Sequence, residues 1–187
     1  MKRSSKNAIM TIIGALLLLS AAGLLLFTRY SGRISEEKSS VYLSEFDEIV
    51  YGEKAALDGM SGDMPVLSIE GADMIGKITV PSCGLSIPVM NDSRTGVPYR
   101  VGGSLYDANL TVIGSSKDLL TVAHQITASD EIDLTDAQGN TFVLEAERIS
   151  HTFESSVENI PNSDCILTLI VKNGLDMSYI VIYCKES

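Results

Sequence analysis

Hydrophobic and polar residues follow three different patterns along the chain, and the first of them predicts a membrane segment. Residues Ala8–Phe27 form a run of twenty positions without a charged side chain. A helix of that length rises roughly 30 Å, which matches the hydrocarbon core of a bilayer. We therefore expect a transmembrane signal-anchor helix over residues 8–27, preceded by a cytoplasmic tail over residues 1–7.

The charges that precede this run predict its orientation. Lys2, Arg3 and Lys6 lie just before it, and basic residues beside a first span tend to stay in the cytoplasm. The C-terminal part is then expected outside the cell membrane, held by a single pass. A cleaved signal peptide is the alternative, because Ser20–Ala22 resembles a small-residue cleavage site. An apolar stretch that continues to Phe27 is longer than the roughly 7–15 residues typical of a signal peptide, which favours the uncleaved anchor.

The second pattern, over residues 28–65, predicts a stalk followed by an amphipathic segment and a linker. The first residues after the span are polar and charged. Four apolar residues then recur at helical spacing, which predicts a helical turn or two lying against a domain: Tyr42, Phe46, Ile49 and Val50. Residues 52–65 contain Gly59, Gly62 and Asp63 and are typical of a linker.

The third pattern, over residues 66–187, predicts a compact, mainly β domain. Seven short apolar runs are separated by turn residues: IGKITV, LSIPVM, NLTVIG, DEIDLTD, NTFVLEAERI, LTLIV and YIVIYC. The turn at residues 137–140 is short enough for a tight hairpin, with Gly139 free to take a positive φ. A second hairpin is expected over residues 172–178, and only residues 117–126 have helical character. These features favour a mostly antiparallel β-barrel or sandwich.

Charge and composition exclude several classes of function. All 24 acidic residues and 11 of the 14 basic residues follow the apolar run, so this part carries a formal charge of −13. Such a surface repels phosphate, and nucleic-acid binding is not expected. The three cysteines, Cys83, Cys165 and Cys184, are expected to pack as small apolar residues. The two histidines, His124 and His151, have no metal-ligand spacing, so neither a metal nor a cofactor is expected.

Four segments together resemble the sortase family, the membrane-anchored cysteine transpeptidases of Gram-positive cell surfaces. They are IGKITVPSCGLSIPV, NLTVIGS, SDEIDLTDAQGNTFVLEAERI and LTLIVKNGLDMSYIVIYC, and they occur in the family's order with nearly its spacing. The resemblance implies an eight-stranded β-barrel over residues 66–187. It also implies a cleft that holds an extended sorting-signal peptide.

The catalytic residues of sortases are not found at the matching positions. The family uses a Cys thiolate as nucleophile, a His as proton carrier and an Arg as donor to the substrate carbonyl. The resemblance places Ser115 at the His position, Lys172 at the Cys position and Tyr179 at the Arg position. His124 cannot replace Ser115 without a large deletion, because it lies 6 residues before Asp130 whereas Ser115 lies 15 before it.

Two hypotheses about function follow from the resemblance. The first is a catalytically inactive sortase-like protein that binds sorting-signal peptides, or that partners an active sortase or a pilin in cell-wall or pilus anchoring. The second is an enzyme of altered chemistry, in which Ser115 and Lys172 form a Ser-Lys pair. Asp176, in the following hairpin, counts against the pair because it would hold Lys172 charged. Tyr179 is expected either to pack or to donate one hydrogen bond to a peptide.

Overall fold

The computed structural model describes the backbone of residues 3–93, 97–154, 156–157, 160, 165–173 and 178–187. Side chains are described over the same residues except in the helical stretches 3–12 and 24–36. The chain divides into two compact units, Met1–Ile34 and Ser35–Ser187.

Helix α1, Arg3–Ile49, provides the described part of the first unit and begins the second. Its described side chains in the first unit, residues 13–23, are exposed, as for Leu16 and Leu18. No helix within the described part of the chain is both apolar enough and long enough to cross a bilayer. The expected span, residues 8–27, lies partly outside the described side chains, so the membrane anchor stays a prediction.

The second unit is built from β-strands, as the alternating pattern predicts. Helix α2 spans Lys117–Ala123, within residues 117–126, the one stretch of the β domain that was expected to be helical. The strands are β1 Glu53–Lys54, β2 Leu67–Ile69, β3 Ala72–Val80, β4 Leu85–Met90, β5 Tyr99–Gly102, β6 Leu110–Gly114, β7 Glu131–Asp136, β8 Asn140–Thr152, β9 Leu167–Lys172 and β10 Tyr179–Glu186.

Eight of these strands close into a barrel. They follow one another around it in the order β3-β4-β5-β6-β9-β10-β8-β7, and β7 pairs with β3 to complete the ring. Most neighbours are antiparallel, but β6 runs parallel to β9 and β4 parallel to β5. The eight-stranded barrel expected from the family resemblance is thus confirmed. Among the eight barrel strands, β5 is the one that the alternating pattern did not predict; the short strands β1 and β2, outside the ring, were not predicted either.

The barrel is filled by the alternate, inward-facing residues of its strands. Ile78, Val112, Leu134, Leu169 and Ile182 belong to one continuous buried apolar cluster. Burial of this cluster is the main favourable contribution to folding, at roughly 1.5–3 kcal/mol for each fully buried aliphatic side chain.

The hairpin between β7 and β8 is held by a buried carboxylate. Asp136 accepts hydrogen bonds from the backbone of Gln138 and Asn140, from the Asn140 amide and from the Tyr106 hydroxyl. These four hydrogen bonds satisfy the carboxylate oxygens of Asp136, although the residue has no exposed surface. Burial, together with the bond to Asp136, raises the pKa of Tyr106 and keeps its hydroxyl a donor. Gly139 has φ +93°, as the hairpin requires.

The C-terminal end of α1 packs against the barrel. Tyr42 and Phe46 are buried with Met74 and Met90, and Lys77 both pairs with Asp47 and lies over the Phe46 ring. The helical spacing therefore predicts this contact correctly for Tyr42 and Phe46. It is wrong for Ile49, which is 56% exposed because it lies at the last turn of the helix, beyond the contact.

Replacing Phe46 by Ala should lower the free energy of unfolding of the barrel by about 3–5 kcal/mol, because its fully buried ring fills a space that Ala leaves empty. Ile49→Ala on the same helix is the matched control and should change it by less than about 0.5 kcal/mol. Guanidinium unfolding of the full chain in one mild detergent, followed by tyrosine fluorescence, measures both. Equal losses in the two variants would contradict the packing of α1 on the barrel.

Candidate functional site

Three neighbouring strands bring the predicted site residues together at one end of the barrel. The parallel register of β6 and β9 ends with Gly114 opposite Val171, so Ser115 and Lys172 are the next residue on each strand path. Lys172 is in turn the direct partner of Tyr179 in the antiparallel pair of β9 and β10. Because neighbouring strands lie about 4.8 Å apart, the three positions form a row across the sheet.

This row belongs to the outer face of the barrel. Leu169 and Val171 of β9 point into the core, whereas Ile170 belongs to a second apolar cluster outside it. Strand side chains alternate between faces, so Lys172 lies on the outer face with Ile170. Tyr179 is a member of the same outer cluster.

The three side chains have different environments. Ser115 is exposed, Lys172 is half-buried, and Tyr179 is 7% exposed among apolar neighbours. Tyr179 therefore packs, as expected for a tyrosine at the start of a strand. Within the described part of the chain, no hydrogen bond joins Ser115 to Lys172. Asp176, which was expected to pair with Lys172, lies outside the described residues.

A close contact fixes the backbone that carries Ser115. A Cβ atom built on Gly114 would lie 2.4 Å from Leu119 Cδ2 and 3.0 Å from Pro98 Cγ, so a larger residue here would force the Leu119 side chain to move. Ser116 caps the helix by accepting a hydrogen bond from the Leu119 amide at 3.2 Å. Ser115 is thus held between a strand end and a capped helix.

The outer-face cluster extends the row into a buried apolar layer outside the barrel. Its buried members come from β6, β9, β10 and the segment that follows β8: Ile113, Ile160, Cys165, Ile170, Tyr179, Val181 and Tyr183. Arg148 of β8 lies over the ring of Tyr183, with its Cζ atom 3.9 Å from the ring centroid. At this distance the guanidinium makes a cation–π contact at the edge of the cluster.

A buried hydroxyl without a partner among the described residues lies within this layer. Thr168 is 1% exposed, and its Oγ1 atom has no hydrogen-bond partner among the described residues. It alternates with Leu167 and Leu169, which face the core, so its side chain lies on the outer face between Thr111 and Tyr183. Sequence reasoning did not single out Thr168. The alternating pattern of LTLIV predicts that Thr168 lies on the outer face. It does not predict that the hydroxyl has no hydrogen-bond partner among the described residues.

The cysteines lie far from Lys172 along the strands. Cys184 pairs with Leu167 at the far end of the β9–β10 ladder, five residues from Tyr179, or roughly 16 Å. Burial, and to a smaller extent the nearby Cys165, raises the pKa of the Cys184 thiol and disfavours the thiolate. Cys165 is also buried, and its thiol lies 3.8 Å from a Glu147 carboxylate oxygen.

The two histidines lie beside each other. Their ring centroids are 6.1 Å apart and the ring planes differ by 28°. His124 ends α2 as its C-cap residue, and His151 lies on β8 opposite Ile180. Sequence reasoning treated them as two separate residues, because nothing in their 27-residue separation indicates that they meet.

No protein-family profile and no curated protein matches this sequence. Solved structures match it by fold. A Clostridium perfringens sortase D5 transpeptidase is 15% identical with a TM-score of 0.52, over 62% of this chain and 79% of that one. Sortase C1 from Streptococcus agalactiae is 13% identical with a TM-score of 0.51, over 65% of this chain and 71% of that one.

Sortase A from Corynebacterium diphtheriae is 18% identical with a TM-score of 0.49, over 62% of this chain. The chain spans 61% of the length of that enzyme. The likeness to the two structures above a TM-score of 0.5 agrees with the closed eight-stranded ring and its strand order. This protein has a sortase-like fold.

Proposed function

We propose that this protein is a membrane-anchored, extracytoplasmic sortase-like protein that binds sorting-signal peptides and does not catalyse their transfer. The observation that carries the proposal is the outer-face cluster, a buried apolar layer outside the barrel. It contains the Thr168 hydroxyl, which has no hydrogen-bond partner among the described residues, and it lies beside a row that has neither a Cys nor a His. The anchor and the outward orientation rest on residues 8–27 and the basic residues before them.

Acyl transfer needs three chemical groups, and the row formed by Ser115, Lys172 and Tyr179 is a poor source of them. It needs a nucleophile with a base in hydrogen-bond reach, and a donor aimed at the developing oxyanion. Ser115 has a hydroxyl, but a hydroxyl attacks only when a base takes its proton. Lys172 would have to be neutral to act as that base, and no hydrogen bond joins the two in the described structure. Tyr179 is buried among apolar side chains and lacks the fixed charge of an arginine.

Peptide binding needs none of these groups. An extended peptide gains affinity from strand-edge hydrogen bonds and from apolar pockets that take alternate side chains. Such pockets would lie over the outer-face cluster on β6, β9 and β10, whose apolar side chains are buried in the described structure. Thr168 is 1% exposed, so a peptide would have to displace the atoms that cover it before a peptide amide could donate to Thr168 Oγ1.

The alternative function is a transpeptidase or hydrolase of altered chemistry that uses the Ser115–Lys172 pair. The adjacent positions of these residues on β6 and β9 are the observation that favours it. A further role, partnership with an active sortase or a pilin in the same membrane, uses the same surface and follows from the fold by analogy.

The full chain should neither cleave nor transfer an LPxTG-type peptide in the presence of an amine acceptor. The measurement is chromatography of the products against a protein-free blank, with an intact sortase as positive control and Thr121→Ala as a control variant. Turnover above the blank that disappears in Ser115→Ala or Lys172→Ala, but survives in Thr121→Ala, would establish the alternative function instead.

Thr168→Val should weaken binding of a fluorescent LPxTG-type peptide by roughly threefold to tenfold, which corresponds to one hydrogen bond of about 0.5–1.5 kcal/mol. Val keeps the shape of Thr, and the free energy of unfolding should not fall, because the hydroxyl has no partner in the described structure. Thr79→Val is the matched control, since Thr79 bonds Ser86 on β4, away from the outer-face cluster. Fluorescence anisotropy measures the three affinities.

Three results would contradict peptide binding at this site. The first is a scrambled peptide that binds as tightly as the LPxTG-type peptide. The second is no saturation at millimolar peptide. The third is an equal loss of affinity in Thr79→Val and Thr168→Val, because the peptide would then bind elsewhere or the substitutions would act through a general effect on the fold.

A further inference from the structure

The fold brings the two histidines of this protein close together. The chain has two histidines, and they lie 27 residues apart in sequence. One ends helix α2 and the other lies on strand β8, yet their ring centroids are only 6.1 Å apart. Neither residue is used by the proposed function.

Both rings are accessible and both are held by regular structure. His124 and His151 are exposed to solvent, so their ring nitrogens can reach a solute. The backbone amide of His124 donates to the carbonyl of Leu120 within α2. His151 is fixed in the ladder between β8 and β10, opposite Ile180. The distance between the two backbone positions is therefore set by regular structure, and the exposed side chains start from neighbouring points.

This distance suits a shared metal ion. A metal–nitrogen bond of about 2.0–2.1 Å puts the ion roughly 3.2 Å from the centre of each ligating ring, so two rings on one ion have centroids no more than about 6.4 Å apart. The observed 6.1 Å falls within this limit.

We propose that His124 and His151 form a site for a divalent transition-metal ion, of the class of Zn²⁺ and Cu²⁺ that imidazole binds well. The described residues contain no group of three or more metal-ligating side chains. Two imidazoles thus supply the protein ligands and water completes the coordination. Such a site exchanges its ion readily and is not required for folding. A bound ion links the end of α2, which follows Ser115, to β8, and so restrains that end of the barrel.

The test is a titration of Zn²⁺ into the full chain, purified without a histidine tag and with Cys83→Ser to remove the half-buried thiol. Calorimetry should show one ion bound for each chain. His124→Ala and His151→Ala should each weaken binding by roughly tenfold or more, because each removes one of two ligands. Gln125→Ala, an exposed neighbour of His124, should leave the affinity within about twofold.

The proposal is overturned if Zn²⁺ does not bind at millimolar concentration, or if either histidine variant keeps the affinity of the unsubstituted protein. A second measurement needs no variant and covers the case in which one of them fails to fold. Electron paramagnetic resonance of the Cu²⁺-loaded protein should show coupling to two imidazole nitrogens. Coupling to one imidazole or to none would equally overturn the shared site.

Discussion

The parallel pairing of β6 with β9 determines what this protein presents at its candidate site. It sets Gly114 opposite Val171, and the two strand paths then continue to Ser115 and Lys172. The antiparallel pairing with β10 adds Tyr179 to the same row. A parallel neighbour of this kind needs a long connection, here the one that carries α2, β7 and β8. Residues distant in sequence therefore meet at one strand end only because the barrel closes.

The inner and outer faces of these strands have different roles. The inner face is a continuous apolar core that accounts for the stability of the barrel. The outer face carries a second apolar cluster, a buried hydroxyl and the three residues of the row. Substitutions on the outer row therefore leave the core untouched. This separation explains how a barrel can keep its fold while its row offers a hydroxyl, an ammonium and a phenol.

The sequence predicts most of the barrel, because inward and outward residues alternate clearly in runs such as LTLIV and YIVIYC. Strand β5 was missed because its four residues, YRVG, show no alternation and are half-buried or exposed. Only the family resemblance supplied the eighth strand. The resemblance also gave the row of Ser115, Lys172 and Tyr179. Two features depend on how distant segments of the chain pack, and no local sequence pattern predicts them. They are the Thr168 hydroxyl, which has no partner among the described residues, and the pair of histidines.

The neighbouring positions of Ser115 and Lys172 can be tested most directly by a cross-link. In a chain with Cys83→Ser, the pair Ser115→Cys and Lys172→Cys should form a disulfide, because adjacent strands about 4.8 Å apart fall within the Cα separation of roughly 4.4–6.8 Å that disulfides need. Thr121→Cys with Lys172→Cys is the control and should not link. Mass spectrometry of the digested protein should find the 115–172 peptide pair. A folded double variant whose thiols both stay free, or a link in the control alone, would contradict the register.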